Sequence, residues 1–280
     1  MHARHRKRLS PPGCPKLPPV IGHRGAAAHA PENTLASLRM ARRLGCAWVE
    51  FDVRLTADGA LVLCHDPRLD RTTSGAGEIA ATTLDAVRRC DAGFRFGAGF
   101  RGEKVPILEE ALALAAELGL GADIEMKADR GRDYATAAAV ADALRRLQGR
   151  GPPVLASSFQ TEILDALRRL APEIPRAVLF RRVPRAWAEI ALRLQCAVIG
   201  ADHRRLTRRL AVAIRVAGWP LAAYTVNDPA RARLLFTWGV TSVFTDVPDI
   251  ISTGSAGAVP APPSEAAPQG SALARQGAIG

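Results

Sequence analysis

Two pairs of charged residues, each pair spaced by two, stand inside otherwise apolar runs. They are Glu50 and Asp52 in Glu50-Phe51-Asp52-Val53-Arg54, and Glu125 and Lys127 in Ile124-Glu125-Met126-Lys127. On a β-strand that spacing puts both members of a pair on one face. Phe51 and Val53 then take the opposite face. Carboxylates gathered in an interior repel one another unless protons or a cation intervene. An all-oxygen set of this kind suits Mg²⁺ or Ca²⁺. Glu50, Asp52 and Glu125 are therefore candidate metal ligands. Lys127 stands out by scarcity: the chain has 34 arginines but only four lysines, at 7, 16, 104 and 127. A compact ammonium kept among three carboxylates in such a chain points to a role for its point charge.

His23 and Arg24 end an apolar run and are followed by Gly25. An imidazole moves protons and a guanidinium clasps an oxyanion, so this placement suits a phosphate subsite. A lone histidine here would read as a core residue. His65 changes that reading. The turn Thr56-Ala57-Asp58-Gly59 predicts a short hairpin that returns Leu61-Val62-Leu63-Cys64 beside Glu50 and Asp52, delivering His65 and Asp66 there. Two histidines beside a metal-type acid cluster supply one general base and one general acid. His23 as base and His65 as acid is one assignment, and the reverse is nearly equivalent. Phe159 and Tyr224, just past two apolar runs, are candidate walls of a substrate pocket. His29 and His203 read as incidental.

Positioning these groups falls to eight short β-prone runs: 20–23, 48–54, 122–126, 154–157, 177–180, 197–200, 221–225 and 242–245. Helical patterns fill the intervals. Thr161 predicts a helix cap before Ile163, Leu164, Leu167 and Leu170, and Leu108, Leu112, Ala115 and Leu118 form a stripe before Gly119. Eight alternating units predict an α/β fold with a closed parallel sheet, a (β/α)₈ TIM barrel, in preference to an open doubly wound sheet. Active groups of such barrels sit at the C-terminal mouth of the strands. Residues 66–104, rich in Gly and Arg, break the rhythm and read as a small insertion above that mouth. The barrel is thus expected over residues 19–251. Residues 1–18, basic and Pro-rich, and 252–280, almost all Ala, Gly, Pro, Ser and Gln, are expected to be disordered tails.

A net charge of +11 invites a nucleic-acid reading, but five positive charges fall within residues 1–18, at Arg4, Arg6, Lys7, Arg8 and Lys16. Arg pairs on helix faces, such as Arg42–Arg43 and Arg168–Arg169, account for much of the remainder. Basic residues alone are only a footprint, so no nucleic-acid partner is expected. The five cysteines show no C-x-x-C spacing. Neither a disulfide framework nor a zinc site follows. The basic N-terminus lacks the apolar stretch of a signal peptide, and no segment is apolar over a membrane-spanning length. A cytoplasmic protein is expected.

The run from His23 to Thr73 resembles the signature half of the glycerophosphodiester phosphodiesterase family. It reads HRG (23–25), PENT (31–34), ExDxxxTxDG (50–59), HD (65–66) and LDRTT (69–73). Downstream, IEMK (124–127), SSF (157–159), YTVN (224–227) and GVTSVFTDVPD (239–249) match the family's later landmarks. The resemblance covers residues 19–250. It implies a (β/α)₈ barrel with an insertion after the second strand, and metal-dependent hydrolysis of a small-molecule glycerophosphodiester to sn-glycerol 3-phosphate and an alcohol. It implies Glu50, Asp52 and Glu125 as ligands of one divalent cation, His23 and His65 as the proton-exchanging pair, and Arg24 and Lys127 as phosphate binders. Tyr224 stands where family members commonly carry Trp, which keeps an aromatic wall but alters its shape. A lysophospholipase D or a cyclising phospholipase on the same barrel is the nearest alternative, with Phe94, Phe96 and Phe100 of the insertion as an apolar approach. A catalytically silent anion-binding protein would need a broken site, and every expected acid, base and phosphate ligand is present.

Overall fold

A computed structural model describes residues 13–147 and 149–251. Each of the eight predicted β-prone runs forms a strand: β1 (Val20–Gly22), β2 (Trp48–Leu55), β4 (Gly121–Met126), β5 (Val154–Ser158), β6 (Arg176–Phe180), β7 (Val198–Asp202), β8 (Leu221–Tyr224) and β9 (Ser242–Thr245). They pair in parallel in the order β1-β9-β8-β7-β6-β5-β4-β2, and a β1–β2 pairing closes the ring. That closure excludes the open doubly wound sheet. The short β3 (Leu61–Leu63) pairs antiparallel with β2, Val53 opposite Leu63 and Leu55 opposite Leu61. Its turn is the expected one: the Thr56 amide donates to the Ala60 carbonyl at 2.9 Å, and Gly59 takes φ +84°.

Helices α1 (Leu35–Arg43), α3 (Leu108–Glu117), α4 (Asp133–Arg146), α5 (Thr161–Leu170), α6 (Trp187–Arg193), α7 (Arg208–Val216) and α8 (Pro229–Thr237) surround the strands. Thr161 is the first helical residue of α5 rather than its cap, which is Gln160; the buried face is Ile163, Leu164 and Leu167. Alternation along the strands divides the core in two. Val49, Phe51, Val53, Ile124 and Met126 point outward into one large cluster with the helices. Ile21, Trp48, Leu155, Val198 and Phe244 form a second cluster inside the ring. Glu50, Asp52, Asp123 and Glu125 point inward nearer the C-terminal ends, so the barrel is apolar at its base and carries its buried charge toward its mouth.

Between β3 and α3 lies an excursion containing two short 3₁₀ turns and α2 (Leu84–Arg89). It carries its own apolar cluster, with Leu69, Ile79, Val87 and Val105 packed against Val62 and Cys64. At the N-terminus, Cys14 and Leu17 were expected in a disordered tail. They instead pack against the inner cluster of the barrel, because an open barrel base is apolar surface that a chain segment can cover. The expected tails over residues 1–12 and 252–280 lie outside the described residues. Among the described residues, no helix is long and apolar enough to cross a membrane.

The base depends on a close approach. A Cβ at Gly121 would lie 2.1 Å from the Trp48 ring, which is itself buried. Gly121→Ala must therefore displace Trp48 from the inner cluster, at a cost of about 1–3 kcal/mol typical of overpacking. Urea unfolding should show a lowered midpoint with unchanged slope. An unchanged midpoint would mean that Trp48 does not seal the base.

Candidate active site

The acids meet because of strand register. β2 and β4 align Glu50 with Asp123 and Asp52 with Glu125, all on the inward face. Glu50, Asp52 and Glu125 are buried, and each offers one oxygen within 4.8 Å of the other two. Glu50 Oε1 is buried without a hydrogen-bond partner, and Asp52 Oδ1 is buried with only the Lys127 ammonium beside it. Unpaired buried carboxylate oxygens are costly, and a divalent cation with oxygen ligands would satisfy them. The donor set fits Mg²⁺ or Ca²⁺. Electrostatics agrees. Burial, reinforced by Asp52 and Glu125, pushes the Glu50 carboxyl well above the usual range, and burial with Asp52 raises Glu125 as well. Burial opposes ionisation of Asp52 too, but Lys127 and Arg24 outweigh it and bring that group down to about 2.

The two cations of the site face these acids. Lys127 Nζ bonds Glu125 Oε1 and lies 3.1 Å from Asp52 Oδ1, without hydrogen-bond geometry to the latter. Arg24 sits at φ +52°, so its amide donates to Glu50 Oε2 at 2.9 Å while its Nε lies 3.4 Å from Asp52 Oδ2. Its Nη1 donates to Glu32 at 2.7 Å.

Each histidine is tethered by the same nitrogen. His23 Nδ1 lies 2.6 Å from Asp246 Oδ1, and its Nε2 stands 3.9 Å from Glu50. His65 Nδ1 lies 2.6 Å from Asp66 Oδ1. A neutral ring donating from Nδ1 leaves the Nε2 lone pair to accept a proton. Burial, ahead of the nearby charges, holds the His65 pKa below its ordinary value. His23, Arg24, His65, Glu50, Glu125 and Lys127 all line one cavity of about 190 Å³ at the barrel mouth. Phe159 and Tyr224 line it too, edge to face with centroids 5.5 Å apart, and Lys127 Nζ stands 5.8 Å above the Phe159 ring. Every residue proposed from the sequence thus reaches one place, Asp52 as the buried neighbour beneath Lys127. His29 instead pairs with Asp249, and His203 contacts Arg231.

Several contributors were not singled out from the sequence. Asp246 lies 223 positions from His23 and reaches it only through the β1–β9 pairing. Asn33 donates to Asp52 Oδ2 at 2.9 Å and accepts from the Asp52 amide at 3.0 Å. Glu32 joins Arg24 to Arg71, which in turn bonds Asp66. Asp123 did carry a legible signal, since it is two residues before Glu125 and must share its face.

The model of the glycerophosphoryl diester phosphodiesterase family matches residues 23–250. A glycerophosphodiester phosphodiesterase of Caldanaerobacter subterraneus is 30% identical over 233 residues, covering 83% of this chain and 95% of that protein. Among solved structures, a phosphodiesterase of Oleispira antarctica in complex with the product sn-glycerol-3-phosphate superposes with a TM-score of 0.82 at 38% identity, covering 84% of this chain and 95% of that one. A glycerophosphodiester phosphodiesterase of Agrobacterium tumefaciens gives 0.72 at 30% identity, covering 84% and 99%.

Asp123 provides a test of the site's electrostatics. Burial, with the Glu125 and Asp52 charges, pushes its carboxyl up to about 8 despite its contact with Ser157. The folded protein then keeps a proton that the unfolded chain has already released. Stability must fall as pH climbs from the ordinary carboxylate range toward that value. Asparagine cannot ionise. In chelator, Asp123→Asn should raise the thermal midpoint over the wild type at pH 8, and by much less at pH 5. A difference independent of pH would contradict the buried, reluctant acid.

Proposed function

The chain belongs to the glycerophosphoryl diester phosphodiesterase family, and from that premise we propose that it hydrolyses glycerophosphodiesters to sn-glycerol 3-phosphate and an alcohol, using a divalent cation held by Glu50, Asp52 and Glu125. One observation carries the reading: two histidines, each tethered to a carboxylate through Nδ1, line the same cavity as the acid cluster, Arg24 and Lys127. Product identity is supported by the glycerol-3-phosphate bound in the Oleispira antarctica relative.

A phosphodiester is a monoanion whose transition state gathers further charge on the phosphorus oxygens. Arg24 and Lys127 are placed to meet that charge, and both are held by the acids around them rather than free to swing. When bound, the cation supplies Lewis-acid polarisation of a phosphoryl oxygen. His23 Nε2 takes the proton of the attacking oxygen as the new P–O bond forms. That oxygen belongs to water, or to the glycerol's own 2-hydroxyl, in which case a cyclic phosphate forms and water then opens it to glycerol 3-phosphate with the two histidine roles reversed. His65 acts from its imidazolium form, which burial makes the scarcer one, and gives its Nε2 proton to the departing alkoxide as the old P–O bond breaks. Asp246 and Asp66, each bonded to Nδ1, fix the orientation of His23 and His65 and leave Nε2 facing the reaction. Phe159 and Tyr224 wall the substrate.

Chelation should abolish turnover and Mg²⁺ or Ca²⁺ should restore it. Glu50→Gln should lower kcat/KM by more than about 100-fold, roughly 2.7 kcal/mol of barrier, with a normal far-UV spectrum. Full activity in excess chelator would remove the cation from the reading.

The roles of the two histidines separate by leaving group. Loss of a general acid is severe for a poor alkoxide leaving group and mild for a phenolate, which needs no protonation. His65→Ala should therefore cost more than about tenfold on an alkyl diester, roughly 1.4 kcal/mol, and far less on an aryl diester. His23→Ala should impair both alike. Rescue of His23→Ala by the aryl substrate would exchange the two roles.

A further inference from the structure

A second hollow of about 310 Å³ continues from the active-site cavity toward the ends of β6 and β7. The two share Phe159, Arg181, Tyr224 and Thr225, so they adjoin along one wall. Arg181 follows β6 directly, while Arg204 and Arg205 follow β7, and all three line the hollow. The single acid there, Asp202, is turned to its own loop: its Oδ1 accepts from the Arg204 amide at 2.9 Å. At the opposite side of the same mouth three arginines are answered. Arg24, Arg54 and Arg71 lie 2.7, 3.1 and 2.8 Å from carboxylate oxygens. Among the described residues no acid stands so close to the guanidinium of Arg181, Arg204 or Arg205.

Many arginines of this chain stand on helix faces, and three more on a rim would mean little. These three differ in position. They converge on a concave wall that opens onto the reacting groups, where like charges raise one another's energy until an anion enters. Planar guanidinium forks match phosphate oxygens in pairs. A second observation marks the junction. The Tyr224 hydroxyl, at the boundary of the two hollows, is buried without a hydrogen-bond partner. An oxygen of a substrate passing from one hollow to the other would satisfy it.

We propose that this hollow is a subsite for a second phosphate on the substrate, so that the enzyme favours glycerophosphodiesters carrying a further phosphate beyond the scissile one. The proposal rests on the hydrolytic reading above for its substrate class, but the anion-binding geometry stands apart from it. Arg181 stacks over the Phe159 ring at 5.1 Å, which holds one fork in place. Arg204 and Arg205, exposed on the loop after β7, supply the remainder.

The test compares glycerophosphoglycerol with the same diester bearing a terminal phosphate, in the wild type and in the Arg204→Gln, Arg205→Gln double variant. At low ionic strength the wild type should prefer the phosphorylated diester by at least about tenfold in kcat/KM, a magnitude ordinary for close charge pairs. Both the double substitution and about 0.5 M salt should bring the ratio near unity. A wild-type ratio within about twofold, or a ratio that the substitutions leave intact, overturns the subsite. Calorimetric binding of glycerol 1,3-bisphosphate against glycerol 3-phosphate asks the same question without turnover. The wild type should bind the bisphosphate more tightly and the double variant should lose that advantage. Equal affinities in the wild type also overturn the subsite. Should neither diester be hydrolysed while the calorimetric difference persists, the hydrolytic reading fails and the anion subsite stands.

Discussion

Mutual repulsion among buried carboxylates is the constraint on which the upper half of this barrel depends. The β2–β4 register places Glu50 beside Asp123 and Asp52 beside Glu125, and all four are nearly inaccessible to solvent. Desolvation of even one ionised carboxylate costs several kcal/mol. The chain does not dilute this cost by spreading the acids apart. It concentrates them and surrounds them with Lys127, Arg24 and two tethered histidines. Two cations cannot neutralise that many acids. The raised Glu50 and Glu125 carboxyls record the deficit, which is the charge state a divalent cation would complete.

The apolar base makes this arrangement affordable. Ile21, Trp48, Leu155 and Phe244 fill the ring beneath the acids, and the outward faces of the same strands join the helical layer. Among the described residues three non-glycine positions hold positive φ, Gln195 just past α6 and two in the loop after β1. Arg24 and Asn33 hold φ +52° and +58°, in a region that non-glycine residues seldom adopt. Both are compensated on the same acids. The Arg24 amide bonds Glu50, and the Asn33 amide side chain bonds Asp52 twice. Gly25 between them runs so close to α1 that a Cβ would lie 2.3 Å from Ser37 Oγ. The loop is therefore shaped by what it must reach inside the barrel.

What the sequence revealed follows from strand geometry. A period of two in short apolar runs exposed Glu50, Asp52, Glu125 and Lys127 as inward groups, and eight such runs indicated closure. His23 and His65 were legible because each ends an apolar run. Their partners were not equally so. Asp66 is adjacent to His65, whereas Asp246 meets His23 only because the last strand closes against the first. No local pattern encodes that pairing. Arg71 was hidden for a related reason: the excursion after β3 has no period, so nothing in its sequence says which side chain turns back to Glu32 and Asp66. Cys14 and Leu17 were lost in a Pro-rich composition that gives no account of apolar surface waiting at the barrel base.

The two histidines are held by different means, and the difference bears on what each can do. His23 is fixed by the barrel itself: its backbone amide bonds the Thr245 carbonyl of β9, its ring bonds Asp246 on the same strand's extension, and its side chain is 15% exposed. Any displacement of His23 would open the seam that closes the sheet. His65 is held through Asp66 and Arg71 by the excursion above the mouth, and its side chain is 36% exposed. A salt-bridged surface network of this kind yields more readily than a strand seam. A base must meet an attacking oxygen whose position scarcely varies from one diester to another. An acid must meet leaving alcohols of differing size. The rigid histidine suits the first task and the more yielding one the second, while burial of His65 works against the protonated form an acid needs, so anchoring and electrostatics pull in opposite directions at this ring.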